Sequence, residues 1–303
     1  MVGAGMESDM LFFLQVLLMG IVQGSIYVVL GLSLVMIYKS SQVFNFAVGE
    51  LATLGAIIFY AACKTGAPIV VILPLFLFLC LLGGLVIERI VIQPLMGRDP
   101  LSTTLVTVGL STFLIGFYNL VIGSHPLSVE VDLPDLSLAV GELFFSSIQV
   151  WTGIFTLILI TCLLGFYRFT RWGIIMRATA EGQVKAMAFG INTRLILSMT
   201  WSLAAVVAGL AGLTVAWGGA LIYTMGAVGL VAIPVVLVGG LESIGGCIIG
   251  GFLIGVVETL TIFYLEPVIG LAGFRSVSPY IFLLIVLMIR PTGLLGQVKI
   301  ERV

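Results

Sequence analysis

Apolar residues run along this chain in long blocks separated by short polar breaks, without the strict alternation that marks a half-buried strand. A helix needs about 20 mostly apolar residues to cross the hydrocarbon of a bilayer. Nine blocks approach that length, at residues 11–37, 44–63, 68–92, 101–123, 146–167, 195–216, 226–241, 244–264 and 279–290. Asn45, Gly49 and Glu50 interrupt the second block and Pro234 the seventh, and the last is short. The pattern therefore predicts an all-α fold: a polytopic membrane helical bundle of about 8–10 transmembrane helices, some broken, forming one transmembrane domain over residues 1–303.

Composition agrees. Of 303 residues 60% are hydrophobic and 9% charged, against about 45–50% and 25% in soluble domains. That excludes a water-soluble globule. Glycine, at 37 residues, points to close helix packing and interrupted helices. Cys63, Cys80, Cys162 and Cys247 lie far apart with no CxxC, which gives no disulfide framework or thiolate metal site.

The 13 basic and 14 acidic residues leave net −1, too balanced for a nucleic-acid partner, so their positions carry the information. Arg168, Arg171, Arg177, Lys185 and Arg194 gather between the fifth and sixth spans, which places the loop at about 168–194 in the cytoplasm. The connection at about 124–145 holds Glu130, Asp132, Asp135 and Glu142 without Lys or Arg, and falls outside. Alternating the spans puts the N-terminus outside and the tail, with Arg290, Lys299 and Arg302, inside. Met1–Met10 holds Glu7 and Asp9 and no basic residue, so it lacks the n-region of a cleaved signal peptide.

Within the basic loop, Ala178–Phe189 has helix-forming composition. Ala180, Val184 and Met187 share one face, Glu181 and Lys185 form an i,i+4 pair, and Gly190 stands at the C-cap. Spacing leaves two readings: a link on the bilayer surface, or a helix docked in a groove of a cytoplasmic partner, with Ala178, Ala180 and Gly182 allowing close approach.

Several stretches together resemble the permease subunits of branched-chain amino acid ABC importers, the H-type subunit in the broader family of hydrophobic amino acid uptake permeases. They are FNFAVGELATLGA at 44–56, IERIVIQPLMGRDPL from Ile87, LVTVGLSTFL from Leu105, RATAEGQVKAMAFGIN from Arg177, GLVAIPVVLVGGLESIGGCIIGGFLIGVVE from Gly229 and RPTGLLG from Arg290. The resemblance implies a multi-pass subunit of an ATP-driven importer in the bacterial inner membrane. Its solute would be a branched-chain or other hydrophobic amino acid, or a related small solute such as urea, an amide or an aromatic acid. It further implies a second, related permease subunit (a heterodimer rather than a homodimer), two cytoplasmic ATPases and an external solute-binding protein.

By the same resemblance Arg177–Asn192 is the coupling loop, with Ala180, Glu181 and Gly190 at its matching positions and Arg177, Gly182 and Lys185 beside them, which favours the docked reading. ATP and Mg would be used by the partner ATPases and no cofactor would be bound by this chain: GLESIGG at 240–246 lacks the Lys-Ser/Thr of a phosphate-binding loop. No HExxH or GxSxG occurs, and His125 is a lone histidine in the outer loop, so no enzymatic activity is expected.

Ionisable groups at membrane depth cost roughly 2.5–3.5 kcal/mol on insertion scales and tend to mark transport paths. Asn45 near the start of the second span and Glu50 near its middle are a broken-helix cap and an interhelical hydrogen-bond partner, or else translocation-pathway groups. Where family members often have His or Gln before the Gly-Glu pair, this chain has Val48. Glu258 carries the same two readings, whereas Glu88 and Arg89 mark the inner end of the third span. Gly246 with Gly250 and Gly251 with Gly255 form two GxxxG packing pairs. Segments 44–56 and 237–251 share a weak Gly-x-Leu likeness that would suit an inverted repeat. An ion-coupled secondary transporter using Glu50 and Glu258 is the alternative, and it leaves the amphipathic cytoplasmic helix unexplained.

Overall fold

The computed structural model describes residues 2–95, 99–129, 134–140, 143–219, 221–271 and 273–296. Helices dominate: α1 (Val2–Ser41), α2 (Val48–Cys63), α3 (Ile69–Ile87), α4 (Pro100–Ile122), α5 (Ser147–Phe169), α6 (Arg171–Glu181), α7 (Gln183–Ala188), α8 (Thr193–Gly218), α9 (Ala232–Gly239), α10 (Ile244–Leu260), α11 (Glu266–Ile269) and α12 (Ser278–Ile289). Each of the nine apolar blocks holds helix. Among the described residues six helical stretches are long and apolar enough to cross a membrane, and three shorter apolar ones, Val48–Cys63, Met225–Gly239 and Phe274–Ile289, complete the set.

Four details depart from the sequence pattern. The second helix starts at Val48, so Phe44 and Asn45 belong to a break after α1, and Glu50 lies in the first turn of α2, not at mid-span. The seventh block opens as a 3₁₀ stretch, Met225–Val231, before α9. Pro234 sits in the first turn of α9, where the missing N–H is not needed, so it starts this helix and does not interrupt it. The helix expected over Ala178–Phe189 is instead divided at Gly182, whose extended backbone (φ 170°, ψ 107°) separates α6 from α7. Glu181 and Lys185 consequently fall on different helices, and no i,i+4 pair joins them. Finally, α3 and α10 run on into π-helical turns, Glu88–Ile92 and Thr261–Leu265.

The chain forms two compact units, one of residues 1–31, 130–158 and 231–303, the other of 32–129 and 159–230. In the second, α8 packs on α2 and α3 through backbone. A Cβ on Gly55 would meet Gly209, one on Gly212 would meet the Ala52 carbonyl oxygen, and one on Gly84 would meet Ala205 and Ser202. Between lipid-soluble helices apolar burial supplies little drive, so close van der Waals approach between glycine faces carries the association. In the first unit the GxxxG residues do the same: Gly251 and Gly255 abut Val28 and Gly24 of α1, while Gly246 and Gly250 abut Gly239 and Val235 of α9. GLESIGG is the turn between α9 and α10, with Ser243 Oγ accepting from the Gly246 amide at 3.0 Å. RPTGLLG folds back on it: the Leu294 and Leu295 amides donate to the last carbonyls of α9, Val238 (2.8 Å) and Gly239 (3.0 Å).

The loop expected outside contains a hairpin the apolar pattern did not predict, β1 (Leu138–Val140) antiparallel to β2 (Leu143–Phe145). Gln15 of α1 donates to the Phe144 carbonyl at 3.0 Å. Glu130, Asp132, Glu142, Lys299 and Arg302 lie outside the described residues. Asp135 is held by the Ser147 hydroxyl and, at 3.1 Å, the Ser137 amide. These donors, the Ser147 hydroxyl first, keep its carboxyl below the ordinary aspartate value.

Two outcomes follow. Gly212→Ala should cost about 1–3 kcal/mol through overpacking, whereas Gly116→Ala, where the added Cβ meets open space, should be neutral or up to about 1 kcal/mol stabilising; thermal unfolding in detergent distinguishes them. A depressed folded pKa gives Asp135 a contribution that is present above its unfolded pKa and lost as pH falls through the folded one. Hydrogen exchange at the Ser137 amide should thus stay slow at neutral pH and quicken only below the ordinary aspartate range.

Candidate functional site

The break between α1 and α2 would leave backbone groups unpaired at membrane depth. Gln42 turns the chain with a positive φ of 57°, and the following residues make no helical bonds of their own. One face of α4 supplies the missing partners. The Phe44 amide donates to Thr104 Oγ1 (3.3 Å), the Phe46 amide donates to Thr107 Oγ1 (3.0 Å), and the Thr107 hydroxyl donates to the Phe44 carbonyl (3.1 Å). Further along the same face, Ser111 Oγ donates to Glu50 Oε1 at 2.8 Å, and the Tyr118 hydroxyl donates to the Glu50 backbone carbonyl at 2.9 Å. The spacing 104, 107, 111, 118 puts these four polar side chains on one face of α4, a pattern that the positions of charged residues do not reveal.

Asn45 is fully buried and its Oδ1 accepts from the Ala47 amide at 3.0 Å, the local turn its residue type favours. Glu50 is 4% exposed. Asn45 Nδ2 and Glu50 Oε2 have no hydrogen-bond partner among the described residues. The 3₁₀ stretch lies against the first turn of α2: a Cβ on Gly226 would strike Glu50 Oε2, and one on Gly229 would strike Gly49. Only glycine allows two irregular segments to meet this closely. Beside them Ala56, Ala216, Leu221 and Met225 form an apolar cluster, and Leu127 and Leu221 exchange backbone bonds of 2.9 Å each way.

Glu88 directly follows the end of α3 at Ile87. It is fully buried in the π-helical turn, and Ser198 of α8 donates to Oε2 at 2.7 Å, while Arg89 is exposed. Glu258 belongs to the other compact unit, where its carboxylate accepts from the buried Tyr27 hydroxyl of α1. Each of the three acids Glu50, Glu88 and Glu258, two buried and one half-buried, is thus bonded to a hydroxyl of another helix.

The basic link is built by its caps. Thr170 Oγ1 accepts from the Gly173 amide at 3.0 Å to begin α6, and Asn192 Oδ1 accepts from the Leu195 amide at 3.2 Å to begin α8. Gly190, at φ 78°, ends α7: its amide bonds the Met187 carbonyl and that of Ile191 bonds the Ala186 carbonyl. Gly173, Met176 and Thr179 of α6 are buried. Glu181 and Lys185 point to solvent, Arg177, Ala180 and Gly182 are half-buried, and Met187 and Phe189 stand exposed. Among the described residues no group of His, Cys, Asp and Glu is placed to hold a metal.

A profile of the branched-chain amino acid transport system permease component matches residues 16–289. The chain belongs to this permease family. It is 28% identical to the high-affinity branched-chain amino acid permease LivH of Salmonella typhimurium over 98% of this chain and 100% of that one. To BraD of Pseudomonas aeruginosa it is also 28% identical, over 96% of this chain and 98% of that one. The probable branched-chain permease LivH of Methanocaldococcus jannaschii is 29% identical over 91% and 90%. A solved PsaBC complex from Streptococcus pneumoniae with Fab aligns over 92% of both chains at TM-score 0.49 and 15% identity.

Ser111→Ala removes the partner of Glu50 Oε1 and should cost about 1–3 kcal/mol, the penalty of an unsatisfied buried acceptor. Ser111→Thr, which restores the hydroxyl, should recover most of the loss; apparent unfolding midpoints of the three proteins in detergent check this.

Proposed function

We propose that this chain is the transmembrane permease subunit of an ATP-binding-cassette importer that carries branched-chain or other hydrophobic amino acids across the inner membrane. The observation that carries the reading is the family match over residues 16–289 in a chain built of membrane-length helices. The relatives are named as branched-chain amino acid permeases, which supports that solute class over urea, amides and aromatic acids. An ion-coupled carrier is not favoured by that family. The assembly comprises a second related permease, two cytoplasmic ATPases that use ATP and Mg, and an external binding protein. The N-terminus lies outside and the tail inside, in keeping with five basic residues in one loop.

In this reading the binding protein delivers solute outside, ATP draws the ATPases together, and the α6–α7 link receives that motion. Two features of the link support the role. Its exposed apolar residues, Met187 and Phe189, stand among basic ones, and α7 is held between a glycine hinge and a glycine stop. Arg177, Ala180, Glu181, Gly182, Lys185 and Gly190 form the contact set. Motion received there passes into α8, whose base Ser198 ties to Glu88.

Reconstituted with its ATPases and binding protein, the complex should take up leucine only with ATP. Uptake by this chain without any ATPase, driven by an ion gradient, overturns the reading. A Cβ on Gly182 meets only ordinary contacts with the Lys185 side chain, so Gly182→Glu is sterically tolerated. Gly182→Glu and Ala180→Glu should each lower ATP-driven uptake at least about tenfold, equivalent to 1.4 kcal/mol of coupling, with membrane insertion unchanged. Unaltered uptake removes the link from the interface.

A further inference from the structure

The break before α2 presents a donor and an acceptor that the protein leaves unused. Asn45 is buried, and because its Oδ1 is committed to the Ala47 amide, the amide nitrogen is the end left over. Glu50 has Oε1 committed to Ser111, so Oε2 is the end left over. Between them the start of α2 carries no side-chain cap: Ala47 stands at the N-cap, and the first amides of a helix favour an anion. Leaving a buried donor and a buried acceptor unpaired is costly. A single ligand with an anionic and a cationic end, a few ångströms apart, would satisfy both.

We propose that Asn45–Glu50 is a subsite for the zwitterionic head of an α-amino acid. Asn45 Nδ2 and the open start of α2 take the carboxylate, and Glu50 Oε2 takes the ammonium. This deepens the permease reading above and rests on it. The polar head is read here, independently of the side chain, so selection among hydrophobic amino acids falls to other surfaces. Gly226 lies against Oε2, which makes the Met225–Val231 stretch the cover of the subsite: the segment withdraws for the ammonium to enter. Its lack of a side chain lets it close fully onto the carboxylate when the site is empty. Ser111 is a positioning residue that turns the carboxylate so that Oε2 faces the cover.

The test is direct binding to the membrane complex, the two permeases with their ATPases and without the external binding protein, in nanodiscs. The ligands are leucine, 3-methylbutylamine (leucine without its carboxylate) and 4-methylpentanoate (leucine without its ammonium). Wild type should bind leucine at least about tenfold more tightly than either analogue, the scale of one lost charge-assisted hydrogen bond. Glu50→Gln should erase the advantage of leucine over 4-methylpentanoate and keep that over 3-methylbutylamine. Asn45→Ala should do the reverse. A merely structural role would weaken all three ligands alike. That outcome overturns the subsite, as does a wild type that binds leucine no better than the analogues; the wild-type comparison needs no variant to fold. ATP-driven leucine uptake by the same complex, reconstituted in sealed proteoliposomes with the binding protein, separates the two levels. If uptake is present while discrimination is absent, the subsite alone is wrong. If uptake is absent, the permease reading falls as well.

Discussion

The irregular stretch between α1 and α2 is shaped by one constraint: a backbone amide or carbonyl buried among membrane-length helices has no water to turn to. The break at residues 42–47 exists because α4 can answer it with Thr104 and Thr107. The same helix then supplies Ser111 and Tyr118 to the first turn of α2. Hydroxyl side chains suit this work. They donate and accept, they carry no charge into the hydrocarbon, and at spacings of three and four they stay on one helix face. The three acids follow the same logic, Glu50 with Ser111, Glu88 with Ser198 and Glu258 with Tyr27.

Glycine answers the second half of the problem. Apolar burial does not hold helices together in lipid as it does in water, so packing must come from contact area at short range. Gly55 against Gly209 and Gly24 against Gly255 bring helix backbones together, and Gly49 against Gly229 brings a helix start onto a 3₁₀ segment. The first two contacts join regular helices; the third joins a helix start to an irregular segment. The same residue type thus builds both the regular seams and the irregular contact.

Much of this was legible in the sequence because length and hydropathy act locally. Nine apolar blocks gave nine helical stretches, and the GxxxG spacing named the packing face of α10. What was missed depends on pairing between distant segments. Glu88 beside Arg89 reads as a span boundary, but not as a partner of Ser198, 110 residues away. Glu50 reads as mid-span until the break places it in a first turn. Gly182 reads as a small residue on a helix face, though its low helix propensity makes it equally a place to stop one. The weak likeness between 44–56 and 237–251 falls in each case on an irregular connection followed by the start of a helix, α2 in one and α10 in the other. A similar order of elements, a long helix, an irregular stretch, a short helix and a helix ending in a π-helical turn, occurs in α1–α3 and again in α8–α10.

That repetition bears on how a signal in the basic link reaches the break. The link leads directly into α8, and α8 touches the elements that matter without an intermediary. Its base meets the π-helical turn at Glu88, and its middle lies backbone to backbone on α2. A helix packed through glycine has little side-chain slack, so a shift at one end is passed along its length with small loss. The helix it would displace is α2, whose first turn holds Glu50 against Gly226. In the proposed coupling, motion received by α8 would reach the Glu50–Gly226 contact through α2, because the seam between α8 and α2 is built of backbone.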